Sequence, residues 1–181
     1  RQIGVGVLGL ADCFFEMDLA FTSEDAVKLN KDIMEHLYYA CIEGSHEYSL
    51  ENNVVYHKFE ESDFAKGICQ FDYWKEEDYE LNPELDWVGL KDKMKLGMAN
   101  SLLTALMPTA TTSNLQSAYE CFEPQGSNIF IRKTKSGEFV IFNKFLIKDL
   151  INLGICTDNL RKEIILREGS IQNIDFLKYF N

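Results

Sequence analysis

From Ile3 to Ala20, in IGVGVLGLADCFFEMDLA, apolar residues fall on almost every side of a helical wheel, which predicts a helix buried on several faces. Thr22, Ser23, Glu24 and Asp25 form a helix-start signal. Val27, Ile33, Met34, Leu37, Tyr38, Cys41 and Ile42 then recur at helical spacing. The acids of that first turn suit the positive end of a helix dipole, while Gly44 and Ser45 blur where the helix ends. Residues 51 to 74 show no period and carry scattered aromatics, and Lys75 to Asp86, KEEDYELNPELD, reads as an acidic solvated loop.

A short helix is expected from Trp87 to Leu96, ending near Gly97, and a buried strand from Leu102 to Met107. Asn128 to Lys133 and Glu138 to Asn143 read as strands flanking TKSG, whose Gly137 suits a tight hairpin. Helices are expected from Lys144 to Leu153 and from Asp158 to Arg167, stopping at Gly154 and Gly169. There is no repeat or low-complexity tract, and the mixture is α/β or α+β with more helix than strand.

Composition narrows the functional classes. A net charge of −11 argues against coating nucleic acid or lying on an anionic membrane, since both need a basic face. No apolar run approaches the ~20 residues of a membrane span. The cysteines at 13, 41, 69, 121 and 156 are widely spaced and odd in number, the pattern of reduced thiols in a cytoplasmic protein. No signal peptide is visible, and Arg1 leads at once into structured-looking sequence, so the chain reads as cut from something longer.

Four patterns could carry chemistry. Gly4, Gly6 and Gly9 spell the G-x-G-x-x-G of dinucleotide sites, but only Arg1, Gln2 and Ile3 precede it and no acid-bearing second strand follows. Glycines that let a buried helix pack closely are the competing reading. His36, His46 and His57 are spaced by 10 and 11, which does not stack metal ligands on one helix face. Glu120 and Glu123 could share a helix face as an acid/base pair or be solvated carboxylates.

The fourth is LLTALMPTATTSN, Leu102 to Asn114, where an apolar segment leaves through Pro108 into Thr109, Ala110, Thr111, Thr112 and Ser113. A strand that exits through such a turn into a helix near Asn114 aims several free amides at one spot, with hydroxyls beside them. That is either a phosphate cradle or a plain helix N-cap.

These residues also carry a family resemblance. IGVGVLGLADCFFEMDLAF, LMPTATTSNLQ, ECFEPQGSNIFIRKTKSGEFVIFNKFLIKDL and GSIQNI resemble the large subunit of class I ribonucleotide reductase, collinearly from Arg1 to about Ile174. The resemblance implies an α/β fold, a ten-stranded barrel of two half-barrels, of which residues 1–181 would be a C-terminal half-barrel portion with no second domain. It implies reduction of ribonucleoside diphosphates through a thiyl radical, for deoxyribonucleotide synthesis. Thr109, Ala110, Thr111 and Thr112 would hold the substrate diphosphate, with Pro108 setting the turn. Thr111 stands where the family usually has serine, and Gln125 and Gly126 replace a common Tyr-Thr pair.

The same resemblance places the radical cysteine upstream of Arg1 and the relay tyrosines beyond Asn181, so none of the five cysteines matches a catalytic position. The expected partners are the remainder of the large subunit and a small radical-generating subunit containing metal. ATP- or dATP-type effectors would act elsewhere, and no metal or cofactor would be bound here. The alternative function is a non-catalytic binding or assembly module of the same fold.

Overall fold

The computed structural model describes residues 1–74, 79–134 and 137–180. Residues 75–78, the start of the expected acidic loop, and Lys135–Ser136 of the expected hairpin turn lie outside them. In chain order the helices are α1 (Leu10–Glu16), α2 (Glu24–Asn52), α3 (Trp87–Met94), α4 (Ala110–Gln116), α5 (Lys144–Asn152) and α6 (Asp158–Leu166). Strands β1 (Ile129–Thr134) and β2 (Gly137–Phe142) lie between α4 and α5. They pair antiparallel, with register from Ile129 opposite Phe142 to Thr134 opposite Gly137.

The first helix is shorter than its sequence predicts. Residues before Leu10 are extended and run parallel to the 102–105 segment, with Val5 bridging Thr104. The Ile3 amide donates to Leu102 O at 3.0 Å, Val5 to Leu103 O at 2.8 Å, and Ala105 returns a bond to Val5 O at 3.0 Å. Gly6 is the reason this approach works, since a Cβ there would sit 2.4 Å from the Ala105 carbonyl oxygen. A short apolar run does not by itself separate an extended segment from a helix, and here the segment is exposed to half-buried along its length. Gly9 then takes φ +79 and begins α1. The glycines are packing and turn residues in an extended segment, neither a dinucleotide loop nor the interior of a helix.

The Leu102–Met107 segment is extended as expected but only partly buried. Leu103 is 3% exposed, whereas Leu102, Leu106 and Met107 face outward.

α2 starts where predicted, with Ser23 Oγ accepting the Ala26 amide at 3.2 Å, and runs through Gly44 and Ser45 to a left-handed Asn53. Tertiary bonds explain why it does not stop at the glycine. Ser45 Oγ donates to Asn100 Oδ1 at 3.0 Å, the Ala99 amide donates to Ser45 O, and the buried His46 Nδ1 pairs with Gly97 O at 2.9 Å.

The main core joins α2 and α3 with the turns between them. Ile42, Phe71, Trp87, Leu90, Met94 and Met98 fill it, and Phe71 and Trp87 meet edge to face at 4.7 Å. A second core holds Leu150, Ile155, Leu160 and Ile164 around α5 and α6, and a third holds Leu10, Phe14 and Ala26. α5 and α6 begin on side-chain caps, Asn143 accepting from Phe145 N and Thr157 from Leu160 N.

Candidate functional site

The hydroxyl-rich turn is built at the start of α4. The extended segment turns at Pro108, and Thr109 adopts φ 54, ψ 17, a left-handed conformation unusual for a β-branched residue. Ser117 at the other end of α4 has φ 54 and Cys121 has φ 38. Ser117 is an ordinary left-handed helix end, like Asn53 after α2, so the strain that bears on the turn is that at Thr109.

Thr109 does not act as a side-chain N-cap. Its Oγ1 faces away from the helix and accepts the Cys121 amide at 2.8 Å. Its carbonyl accepts the Ser113 amide at 2.8 Å, which closes the first helical turn. Ser113 is 1% exposed and donates from Oγ to Ala110 O at 3.3 Å, and Asn114 Nδ2 donates to the same carbonyl at 2.6 Å.

What remains is a set of open donors. Among the described residues the amides of Ala110, Thr111 and Thr112 have no acceptor, and all three residues are exposed. Unpaired first-turn amides are normal for a helix, but here the cap that would cover them is turned elsewhere. The arrangement offers three adjacent N–H groups and the Thr111 and Thr112 hydroxyls to an anion, and no proton-transfer group among them. The plain N-cap reading therefore does not describe this turn.

The other candidates do not assemble. Glu120 and Glu123 are exposed and outside any helix, so they share no helix face. His36 Nδ1 sits 2.7 Å from Asp32 O on α2, His46 is committed to Gly97, and His57 is exposed on a turn. No group of three or more His, Cys, Asp or Glu side chains suited to a metal occurs among the described residues. All five cysteines are free thiols. Burial pushes the Cys69 thiol up to about 12 and raises that of Cys41, so both are poor nucleophiles at neutral pH.

A cavity of about 410 Å³ is lined by Tyr38, Asp63, Cys69 and Tyr73 and lies against α2, on residues that take no part in the turn. A cleft of about 210 Å³ flanks the far side of α4, where Asp12, Ser117, Tyr119 and Lys144 meet. Sequence reading missed that junction, because its partners lie up to 132 residues apart and no local pattern links them.

The model of the family described as "Ribonucleotide reductase, barrel domain" matches residues 1–179. The chain belongs to this family. It is 44% identical to the ribonucleoside-diphosphate reductase large subunit of Dictyostelium discoideum over 176 residues, covering 96% of this chain and 20% of that protein. Against the large subunit of Caenorhabditis elegans it is 46% identical, covering 97% of this chain and 22% of that one. Large chain 2 of Saccharomyces cerevisiae is 43% identical, with 96% and 20% covered. The chain thus spans about a fifth of the length of these curated relatives. Its helix-rich structure is a portion of the family's barrel domain. Among the described residues no helix is long and apolar enough to cross a membrane.

Proposed function

We propose that this chain is the portion of a ribonucleoside-diphosphate reductase large subunit that seats the substrate's diphosphate, through Thr109, Ala110, Thr111 and Thr112. The observation that carries the reading is the row of unpaired, exposed amides at Ala110, Thr111 and Thr112. A phosphate oxygen gains about 1.5–3 kcal/mol per charge-assisted hydrogen bond, before its desolvation is subtracted. The helix end adds only about 0.3–1 kcal/mol, so the individual bonds decide the affinity. The chain's net negative charge opposes an anion, but that field is screened over about 8 Å at physiological salt and a local cradle prevails.

The role is positional. Fixing the diphosphate fixes the ribose against reacting groups supplied by the rest of the large subunit, and orientation of that kind removes much of a barrier. Thr111 and Thr112 donate from their hydroxyls, Ala110 contributes its amide alone, and Thr109 shapes the seat through its backbone turn, its hydroxyl oxygen being committed to the Cys121 amide. The thiol chemistry, the small radical-generating subunit and the ATP- or dATP-type effectors engage other parts of the enzyme. Five free thiols suit a reducing cytoplasm.

The test is Thr112→Val in the complete enzyme, which keeps shape and removes the hydroxyl. KM for CDP rises about tenfold, the loss expected for one charge-assisted bond. Unchanged KM and kcat would count against the assignment.

A second reading is favoured by the outward-facing Leu102, Leu106 and Met107, beside the segment that Val5 bridges. Such surfaces invite a partner, and the chain would then be a non-catalytic assembly module. Mixing it with the separately produced remainder of the large subunit separates the two. Restored turnover supports the reductase reading, and tight association without turnover supports assembly.

A further inference from the structure

The turn that offers its amides is held by residues distant in sequence. Lys144, the first residue of α5, places Nζ 3.0 Å from Asp12 Oδ2 on α1 and donates to the Ser117 carbonyl at 2.7 Å. The same Asp12 oxygen accepts the Tyr119 amide at 3.1 Å. At the other end of α4, Thr109 Oγ1 accepts the Cys121 amide. Residues 119–121 are in turn bonded to the start of α1, with Gly9 N donating to Tyr119 O at 3.0 Å and Leu10 N to Cys121 O at 3.4 Å. Both ends of α4 are thus pinned to one short segment, and that segment is pinned to α1.

A seven-residue helix has little stability of its own, so its placement depends on such ties. Lys144 satisfies a carbonyl at the C-terminal end of α4, where a cation is favoured, and Asp12 satisfies an amide that would otherwise be unpaired. Two further links bind α1 to α5 without touching α4: Lys148 lies 3.1 Å from Glu16, and Phe15 stacks on Phe145 at 5.1 Å. Lys144 and Lys148 are similarly exposed, at 55% and 58%, but Asp12 is 17% exposed and accepts from two partners whereas Glu16 is 58% exposed.

We propose that Asp12 and Lys144 form a positioning clamp that fixes α4, and with it the Ala110–Thr112 amides, in the orientation that receives the diphosphate. The clamp rests on the diphosphate reading above. It touches no substrate and acts only through the placement of α4. The flanking cleft of about 210 Å³, lined by both residues, leaves room for a bulkier cation at position 144.

The experiment is steady-state kinetics on the complete reductase with its radical-supplying partner, using CDP, for Lys144→Met, Lys144→Arg, Lys148→Met and Thr112→Val. Lys144→Met raises KM about three- to tenfold, the effect of losing one or two hydrogen bonds, with kcat within about twofold. Lys144→Arg restores KM, and Lys148→Met, which breaks only the outlying pair, leaves it unchanged. Hydrogen exchange over residues 110–121 speeds up in Lys144→Met and not in Lys148→Met. Where Lys144→Met fails to accumulate, Asp12→Asn makes the same comparison, since asparagine still accepts from Tyr119 but loses the ion pair. A KM rise in Thr112→Val with none in Lys144→Met, or an equal rise in Lys148→Met, overturns the clamp and leaves the seat standing. Unchanged KM in both Thr112→Val and Lys144→Met removes the seat and the clamp with it.

Discussion

The α2–α3 body and the turn at the start of α4 solve opposite problems. In the body, Ile42, Met94 and Met98 are fully buried, aromatic rings meet edge to face, and Glu35 Oε1 accepts from both Asn82 N and Trp87 Nε1 at 2.8 Å. In the turn the backbone is left-handed at Thr109, three consecutive amides are unpaired, and the side chain best placed to cap them points the other way. The contrast separates the part that burial stabilises from the part proposed to bind. Apolar burial supplies the body's stability, whereas the turn leaves hydrogen-bonding capacity unused that a ligand can take up.

The largest expected effect lies in the body. Leu90, 1% exposed, should cost about 3 kcal/mol when cut to alanine, read as a lower denaturant midpoint with an unchanged slope. If Leu90→Ala instead left the midpoint in place, the body would not be the stabilising half.

Next comes an alkaline transition. Burial pushes the Tyr38 hydroxyl up to about 12, against a bond from the Gln70 amide that lowers it. The folded state therefore favours the protonated phenol. Its contribution to stability is complete below the ordinary tyrosine value of 10.0 and is lost as pH rises towards about 12. Unfolding followed across that window should steepen with pH in the native chain and less so in Tyr38→Phe.

Thr109→Gly probes the turn itself. Glycine relieves a backbone cost of about 1–2 kcal/mol and forfeits a bond of about 1 kcal/mol, so stability should change little. KM for CDP should nonetheless rise several-fold, because the Cys121 tie is gone and a freer backbone presents its amides less well. A large stability loss without a KM change would reverse the division between body and turn. The smallest effect belongs to Lys58, paired with Glu61 at 3.6 Å with side chains 64% and 73% exposed. Lys58→Ala should shift stability by less than about 0.5 kcal/mol, and a larger shift would show that surface pairs matter here.

Legibility from sequence followed locality. Ser23 before an acidic first turn, the β1–β2 pair, and glycines 154 and 169 closing α5 and α6 are short-range signals, and the structure places these elements within a residue or two of expectation. Ile3 to Gly9 misread as helix because the partner that makes it extended, the 102–105 segment, is about a hundred residues away. The same limit applies to the site. The run of hydroxyls after Pro108 was readable, and so was the resemblance that gave it a meaning. The inward turn of the Thr109 hydroxyl to Cys121, and the tie from Lys144 to Asp12 and Ser117, depend on non-local packing that no spacing rule encodes.

In the proposed seat the Ala110, Thr111 and Thr112 amides bond the substrate's diphosphate. Hydrogen exchange of the complete large subunit, compared with and without saturating CDP, reads those amides directly. Exchange should slow in the peptide spanning Pro108 to Gln116, with no comparable change in the core of α2. CDP binding with unaltered exchange at Ala110–Thr112 would contradict the proposed seat.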